Sequence, residues 1–178
     1  MSKFYSKTTN GFYDSSINAS MPTDAVAVTD SAYQALFAAQ AAGQIIQSNA
    51  NGNPEAVSPP APSAAQVAVV AGMAALNAGI AITSTGTPAI NGIYALTSNT
   101  LLMVTGAVSY CQLKGQFPGN SSTLTFFDAA GAPHVFSSVT EFELFAEAIA
   151  SYVNPIQDYI NSGGTQGSLP TSNAVTIA

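Results

Sequence analysis

Apolar residues recur along this chain with two different periods, and the switches between them mark out a series of short elements. Phe4-Tyr5-Ser6 and Gly11-Phe12-Tyr13 are aromatic, strand-like runs on either side of Lys7-Thr8-Thr9-Asn10. Asn10-Gly11 is a turn dipeptide because both residues tolerate positive φ. Pro22 leads into the alternating segment Ala25-Val26-Ala27-Val28. Thr29 or Asp30 then caps a helix expected over Ser31 to Ala42, with Tyr33, Leu36, Phe37 and Gln40 at helical spacing and Gly43 at its C-terminal stop. Ile45-Ile46 reads as a short strand, Asn49 to Pro54 as a turn, and Glu55-Ala56-Val57 as the returning strand.

Pro59, Pro60 and Pro62 interrupt this pattern, and Ser58 to Pro62 reads as a stiff linker because proline fixes φ and removes donors. Ser63 caps an Ala-rich helix reaching about Ala78. Its residues Val67, Val70, Met73 and Leu76 recur every three positions and are expected to share one face. Gly79 to Asn91 reads as turn-rich, Ile93 to Leu96 as a strand, and Asn99 to Leu113 as a helix capped by Ser98 and closed by Gly115. That helix carries Leu102, Val104, Val108 and Cys111 as its apolar positions.

Thr123 to Phe127 and His134 to Phe136 flank the acidic, glycine-containing loop Asp128 to Pro133, which predicts a hairpin. Ser138-Val139-Thr140-Glu141 has the pattern of a capping box, and Phe142, Phe145, Ala146, Ile149 and Val153 then form an amphipathic stripe. Pro155 is expected to end or kink that helix. Ser162 to Ala178 is rich in Gly, Ser and Thr; its apolar tip Val175-Thr176-Ile177 is expected to be mobile unless a partner holds it. The fold class is therefore α+β, in two small modules. Residues 1–58 form a hairpin and short-helix module, 59–63 the linker, 64–161 a module of helices plus a hairpin, and 162–178 an extended tail.

Charge changes this picture. From Ala56 to Leu113 there is no Asp, Glu, Lys or Arg, and the whole chain has three Lys, no Arg and nine acids, for a net charge of −6. Charged residues are 7% of the chain, against about a quarter in ordinary soluble domains. So few cations cannot neutralise a phosphate backbone, which excludes nucleic acid as a partner. The charge-free segment is instead expected to be the part most covered by neighbouring protein. Ala64 to Ile82 is uncharged over about the length of a bilayer span. It is Ala-rich, interrupted by Gln66 and Asn77, and lacks flanking Lys, Arg, Trp or Tyr anchors. It reads as a helix packed on protein rather than a membrane span. The N-terminal Met-Ser-Lys-Phe-Tyr-Ser-Lys lacks the apolar run of a secretory signal.

Candidate chemistry is sparse. Cys111 and His134 are the only Cys and His, so no disulfide, metal site or cofactor site is expected. His134, Asp128 and Ser137 or Ser138 could be arranged on paper as a Ser-His-Asp set, but all lie along one hairpin without a nucleophile-elbow motif. Cys111 reads as a buried hydrophobe, Glu141 as a cap residue, and Glu143 and Glu147 as a solvated face. No catalytic residue is assigned. Phe4, Tyr5, Phe12 and Tyr13 either contact a partner or form the small core of the first module. Val67, Val70, Val175 and Ile177 are the further candidate contacts.

One resemblance unites these features. Phe4-Tyr5-Ser6, Gly11-Phe12-Tyr13-Asp14, Pro22, Asp24-Ala25-Val26, Tyr33, Leu36, Gly43 and Asn51-Gly52-Asn53-Pro54 resemble the start of the caudoviral tail fibre assembly family. The second half, from Ala74 to Gly79 through the Asp128–Gly131 turn and the Phe142-Phe145-Ile149 helix, is similar to an uncharacterised domain that follows such modules in phage tail proteins. It departs from that pattern in having almost no charged helix residues, and in Phe126 or Phe127 where many relatives carry Trp. The resemblance implies a non-enzymatic protein of a tailed bacteriophage, made in the host cytoplasm and retained in the virion. Tail fibre or other virion proteins would be its partners, and it would act as a homo-oligomer or in a larger assembly. A transient tail fibre assembly chaperone, a host-surface glycan-binding adhesin and a capsid decoration protein are the alternatives.

Overall fold

Asn10 adopts a φ of 51°, and the chain reverses there between β1 (Lys3–Ser6) and β2 (Gly11–Asp14). The computed structural model describes residues 2–178, which divide into two units between Ala61 and Pro62. The α+β class is borne out: the described residues form four α-helices and ten short strands, the strands arranged in four small sheets. Ser58 to Ser63, which includes the prolines, carries no helix or strand.

In the first unit, β1 lies between β2 and β3 (Val26–Val28), antiparallel to both. Thr29 accepts a hydrogen bond from the Ala32 N–H at 3.2 Å and so starts α1 (Asp30–Ala41). A separate hairpin, β4 (Ile45–Ser48) and β5 (Pro54–Val57), completes the unit. Two carboxylates tie the loops down. Asp14 pairs with Lys3 at 2.6 Å and accepts from the Ser16 N–H and hydroxyl, while Asp24 accepts from Thr8 N–H and the Ser6 and Thr8 hydroxyls.

These bonds favour the ionised form, so both carboxyls are held below their ordinary range. The Lys3 contact is the chief cause at Asp14 and the Thr8 N–H at Asp24. A depressed carboxyl contributes stability above its unfolded-state pKa of about 4, and that contribution is lost as pH falls through the folded value. The melting temperature of the first unit should therefore drop below about pH 4, and Asp14→Asn should flatten that acid limb. Thermal melts from pH 7 to pH 2 check this.

The second unit is built around α4 (Val139–Asn161), whose Phe142, Phe145, Ala146, Ile149, Tyr152, Val153 and Ile156 are all buried. Aromatic residues of the hairpin β8 (Leu124–Phe127) and β9 (Pro133–Phe136) interlock with it: Phe136 lies 4.9 Å and Phe126 6.0 Å from the Phe145 ring centre. The predicted apolar stripe of α4 is the core. Pro155, expected to end or kink the helix, does not end it and lies inside it. Burial of Tyr152, Val153 and Ile156 around the proline offsets the one lost backbone bond.

Three further expectations are corrected. Gly79 to Asn91, read as turns, contains β6 (Ile80–Ser84), the middle strand of a sheet with β7 (Gly92–Tyr94) on one side. On its other side β10 (Ala174–Ile177) runs parallel to it, Val175 opposite Ile82 and Ile177 opposite Ser84. The tip of the tail is therefore held by this chain's own sheet, and no partner is needed to order it. The capping box at Ser138 does not form: Ser138 occupies the cap position without a side-chain bond, and Glu141 is buried. A capping box forms instead at Ser63 and Gln66, at the start of α2 (Ala64–Asn77).

Candidate partner-binding surfaces

Alternation along a strand decides what the aromatic N-terminal residues can touch, because successive side chains point to opposite faces. Tyr5 stands opposite Phe12 in the β1–β2 register, and Phe4 opposite Tyr13. Tyr5 and Phe12 share the face covered by α1. The Phe12 ring centre lies 5.1 Å from that of Tyr5, 5.1 Å from that of Tyr33, which it meets edge-on, and 5.4 Å from that of Phe37. Tyr5 is fully buried, its hydroxyl bonded to the Asn10 side chain, so it is core and not a contact residue. Phe4 and Tyr13 lie half-buried on the opposite face, where the Tyr13 hydroxyl donates to the Thr9 hydroxyl at 2.9 Å. The four residues are thus two pairs on two faces, and no single aromatic patch exists.

The row expected to share one face of helix α2 divides, Leu76 turning inward and Val67, Val70 and Met73 outward. The inward side of the helix is Ala68, Gly72 and Leu76, and a Cβ on Gly72 would fall 2.3 Å from a side-chain carbon of Ile160. Small residues are what allow α2 to approach α4 so closely. The larger residues face outward as a result: Val67 is 52% exposed, Val70 71% and Met73 47%. Helix α3 (Ser98–Lys114), capped by Thr97 and ended by Gly115 at φ 68°, behaves similarly. Val104, Ala107 and Cys111 face inward while Leu102 and Leu113 are more than 70% exposed. Of the tail candidates, Ile177 is buried and Val175 is half-buried against the core. Val67 and Val70 therefore remain surface candidates, whereas Tyr5 and Ile177 serve the fold.

The charge-free segment divides the same way. Ile80, Ile82, Ile90 and Tyr94 are covered by the chain's own core, while the outer sides of α2 and α3 and Ile93 of β7 present large apolar groups at the surface.

A groove in the first unit was not legible from the sequence. It is about 450 Å³, bordered by Ala27 and Val28 of β3 on one side and by Asn53, Pro54 and Ala56 on the other, with Ala32, Ala35 and Leu36 of α1 also lining it. None of its lining residues is charged. Among the described residues β3 pairs only with β1 and β5 only with β4, so both bordering strands are sheet edges.

His134 is held by the backbone of a distant segment. Its Nδ1 donates to the Ala89 carbonyl at 2.8 Å, and its Nε2 is buried 3.4 Å from Asp128 Oδ2 without forming a hydrogen bond. Asp128 accepts from the Ala130 and Ala132 N–H groups. Its carboxyl is held below the ordinary range, chiefly by the Ala132 bond. Neither imidazole nitrogen bonds Ser137 or Ser138. What the arrangement does is fasten the Asp128 turn: the Ala129 N–H donates to the Ile93 carbonyl at 2.7 Å, joining the hairpin to β7. Among the described residues no His, Cys, Asp and Glu cluster could hold a metal ion, and no helix is long and apolar enough to cross a membrane.

Comparison with known proteins supplies one relative. The chain is 35% identical over 71 residues to a probable tail fiber assembly protein of Shigella phage SfV. The aligned part is 39% of this chain and 42% of that protein, so the match spans less than half of the curated relative. No family model and no solved structure matches. The resemblance to the tail fibre assembly family is borne out by this relative.

Proposed function

We propose that this chain is a non-enzymatic protein of a bacteriophage tail that binds tail fibre or baseplate components and stays in the assembled virion. The observation that carries this reading is the outward row Val67, Val70 and Met73 on α2, large apolar groups turned to the surface while the helix packs inward on Ala and Gly. Side chains of that size gain about 1.5–3 kcal/mol each when fully covered. A surface without charges loses little to ion desolvation when a neighbour covers it. Similarity to a tail fiber assembly protein supports the tail fibre as the neighbour. Purified particles of the encoding phage, probed for this chain, test the reading. The chain is expected to sediment with the particles, and finding it only in the soluble lysate would leave the transient-chaperone alternative in its place.

A further inference from the structure

We infer that the groove between β3 and β5 receives one extended strand of the tail fibre, added along the free edge of β3. This rests on the fibre-binding reading above and assigns it a place and a mode.

Three features of the groove select a strand over other occupants. Both strands that line it, β3 and β5, pair on one side only, so each has an edge without a strand partner among the described residues, and β3 lines the groove with the consecutive residues Ala27 and Val28. Free edges of that kind are templates for strand addition, in which main-chain hydrogen bonds supply the affinity. Lining it from α1 are Ala32, Ala35 and Leu36, and the two alanines are exposed. A larger helix face there would occupy the space a new strand needs, whereas alanines leave it open. Last, none of the lining residues is charged, although the chain as a whole carries −6. Glu55 lies between the lining residues Pro54 and Ala56, so alternation turns it to the other face, where Gln47 donates to it at 3.3 Å.

These features also define the chemistry of the occupant. Side chains turned toward α1 must be small or β-branched and uncharged, because a charge buried against alanines would lose its water and find no partner. Side chains turned away are unconstrained by the groove. A helix would offer the two edges no free backbone donors or acceptors.

The test uses the full-length chain co-purified with the tail fibre protein of the same phage, and amide hydrogen exchange measured with and without the fibre. Amides of residues 26–28 and 55–57 are expected to slow by about tenfold or more in the complex. Ala35→Arg, at an exposed helical position, is expected to reduce recovered fibre by about tenfold with an unchanged melting temperature, while Gln34→Arg, which does not line the groove, leaves recovery intact. A complex that forms with unchanged exchange in β3 and β5 overturns the inference and leaves fibre binding standing. Protection of these strands that rises with concentration in the chain alone makes a second copy the occupant and overturns it too. If no complex forms at all, the fibre-binding reading fails and this inference fails with it.

Discussion

Phe145→Ala is expected to destabilise the second unit by about 3–5 kcal/mol, the range for deleting a fully buried aromatic ring from a well-packed core. Phe145 is completely buried, with ring centres of Tyr94 at 4.7 Å, Phe136 at 4.9 Å, Phe142 at 5.9 Å and Phe126 at 6.0 Å. It touches β7, both strands of the β8–β9 hairpin and its own helix, so no single neighbour can move to fill the hole. The melting temperature should fall on the order of 10–20 °C. Glu147→Ala, two residues further along on the opposite, exposed side of the helix, should stay within about 0.5 kcal/mol of the parent. Denaturant titration of the two variants side by side reads the contrast. A loss below about 1 kcal/mol for Phe145→Ala would mean that this aromatic cluster is not the core.

Deleting residues 172–178 is expected to have an effect of similar size. It removes β10 and with it the whole ladder on one side of β6. Ile177, nearly fully buried, contributes about 2–3 kcal/mol by burial alone. Four more bonds disappear: Ala81 N–H to the Asn173 carbonyl at 2.8 Å, Thr85 N–H and hydroxyl to the Ile177 carbonyl at 3.0 and 3.4 Å, and the Asn173 side chain to the Gly79 carbonyl at 3.3 Å. Each is worth about 1 kcal/mol net. The free edge of β6 would also be exposed to pairing with other chains, so the truncated protein should aggregate as well as melt early. The outcome separates two accounts of the tail. A tail that is ordered only by a partner would be dispensable in the isolated chain, whereas a tail that completes its own sheet is not.

That tail is where sequence reasoning fell furthest short, for a reason that applies to β structure generally. The apolar tip Val175-Thr176-Ile177 is visible in the sequence, but its partner strand lies some 90 residues earlier, in the stretch read as turns. Local pattern registers a strand's propensity and not its pairing. The strand at Ile80–Ser84 was itself hidden by Gly79, Gly86 and Pro88, which are punctuation around it rather than through it.

What was legible followed from short-range chemistry. Asn10-Gly11 marked the first turn, Thr29 and Gly115 the ends of their helices, and the Phe142-Phe145-Ile149 spacing the buried side of α4. Periodicity also located the apolar row of α2, yet assigned it no direction. The deciding residue was Gly72, whose lack of a side chain permits close contact with Ile156 and Ile160, beside the small buried Ala68. A hydrophobicity pattern ranks Val above Ala and does not register which side is small enough for close packing. The candidate contacts divided for the same kind of reason. Phe4-Tyr5 and Phe12-Tyr13 look like one aromatic patch in the sequence, and strand alternation separates them. The groove between β3 and β5 had no sequence signal, since it is defined by two edges that fail to meet.

The central claim is that this chain works by being covered: the outward apolar row of α2 is a contact surface in an assembled phage tail. Quantitative mass spectrometry of gradient-purified particles, from phage carrying either the parent chain or Val70→Arg, tests this most directly. Val70 is 71% exposed, so the substitution should leave folding within about 0.5 kcal/mol. The account predicts a fixed copy number of the parent chain per particle and a marked depletion of Val70→Arg at equal expression. Equal occupancy of the two chains, or absence of both from the particles, would contradict it.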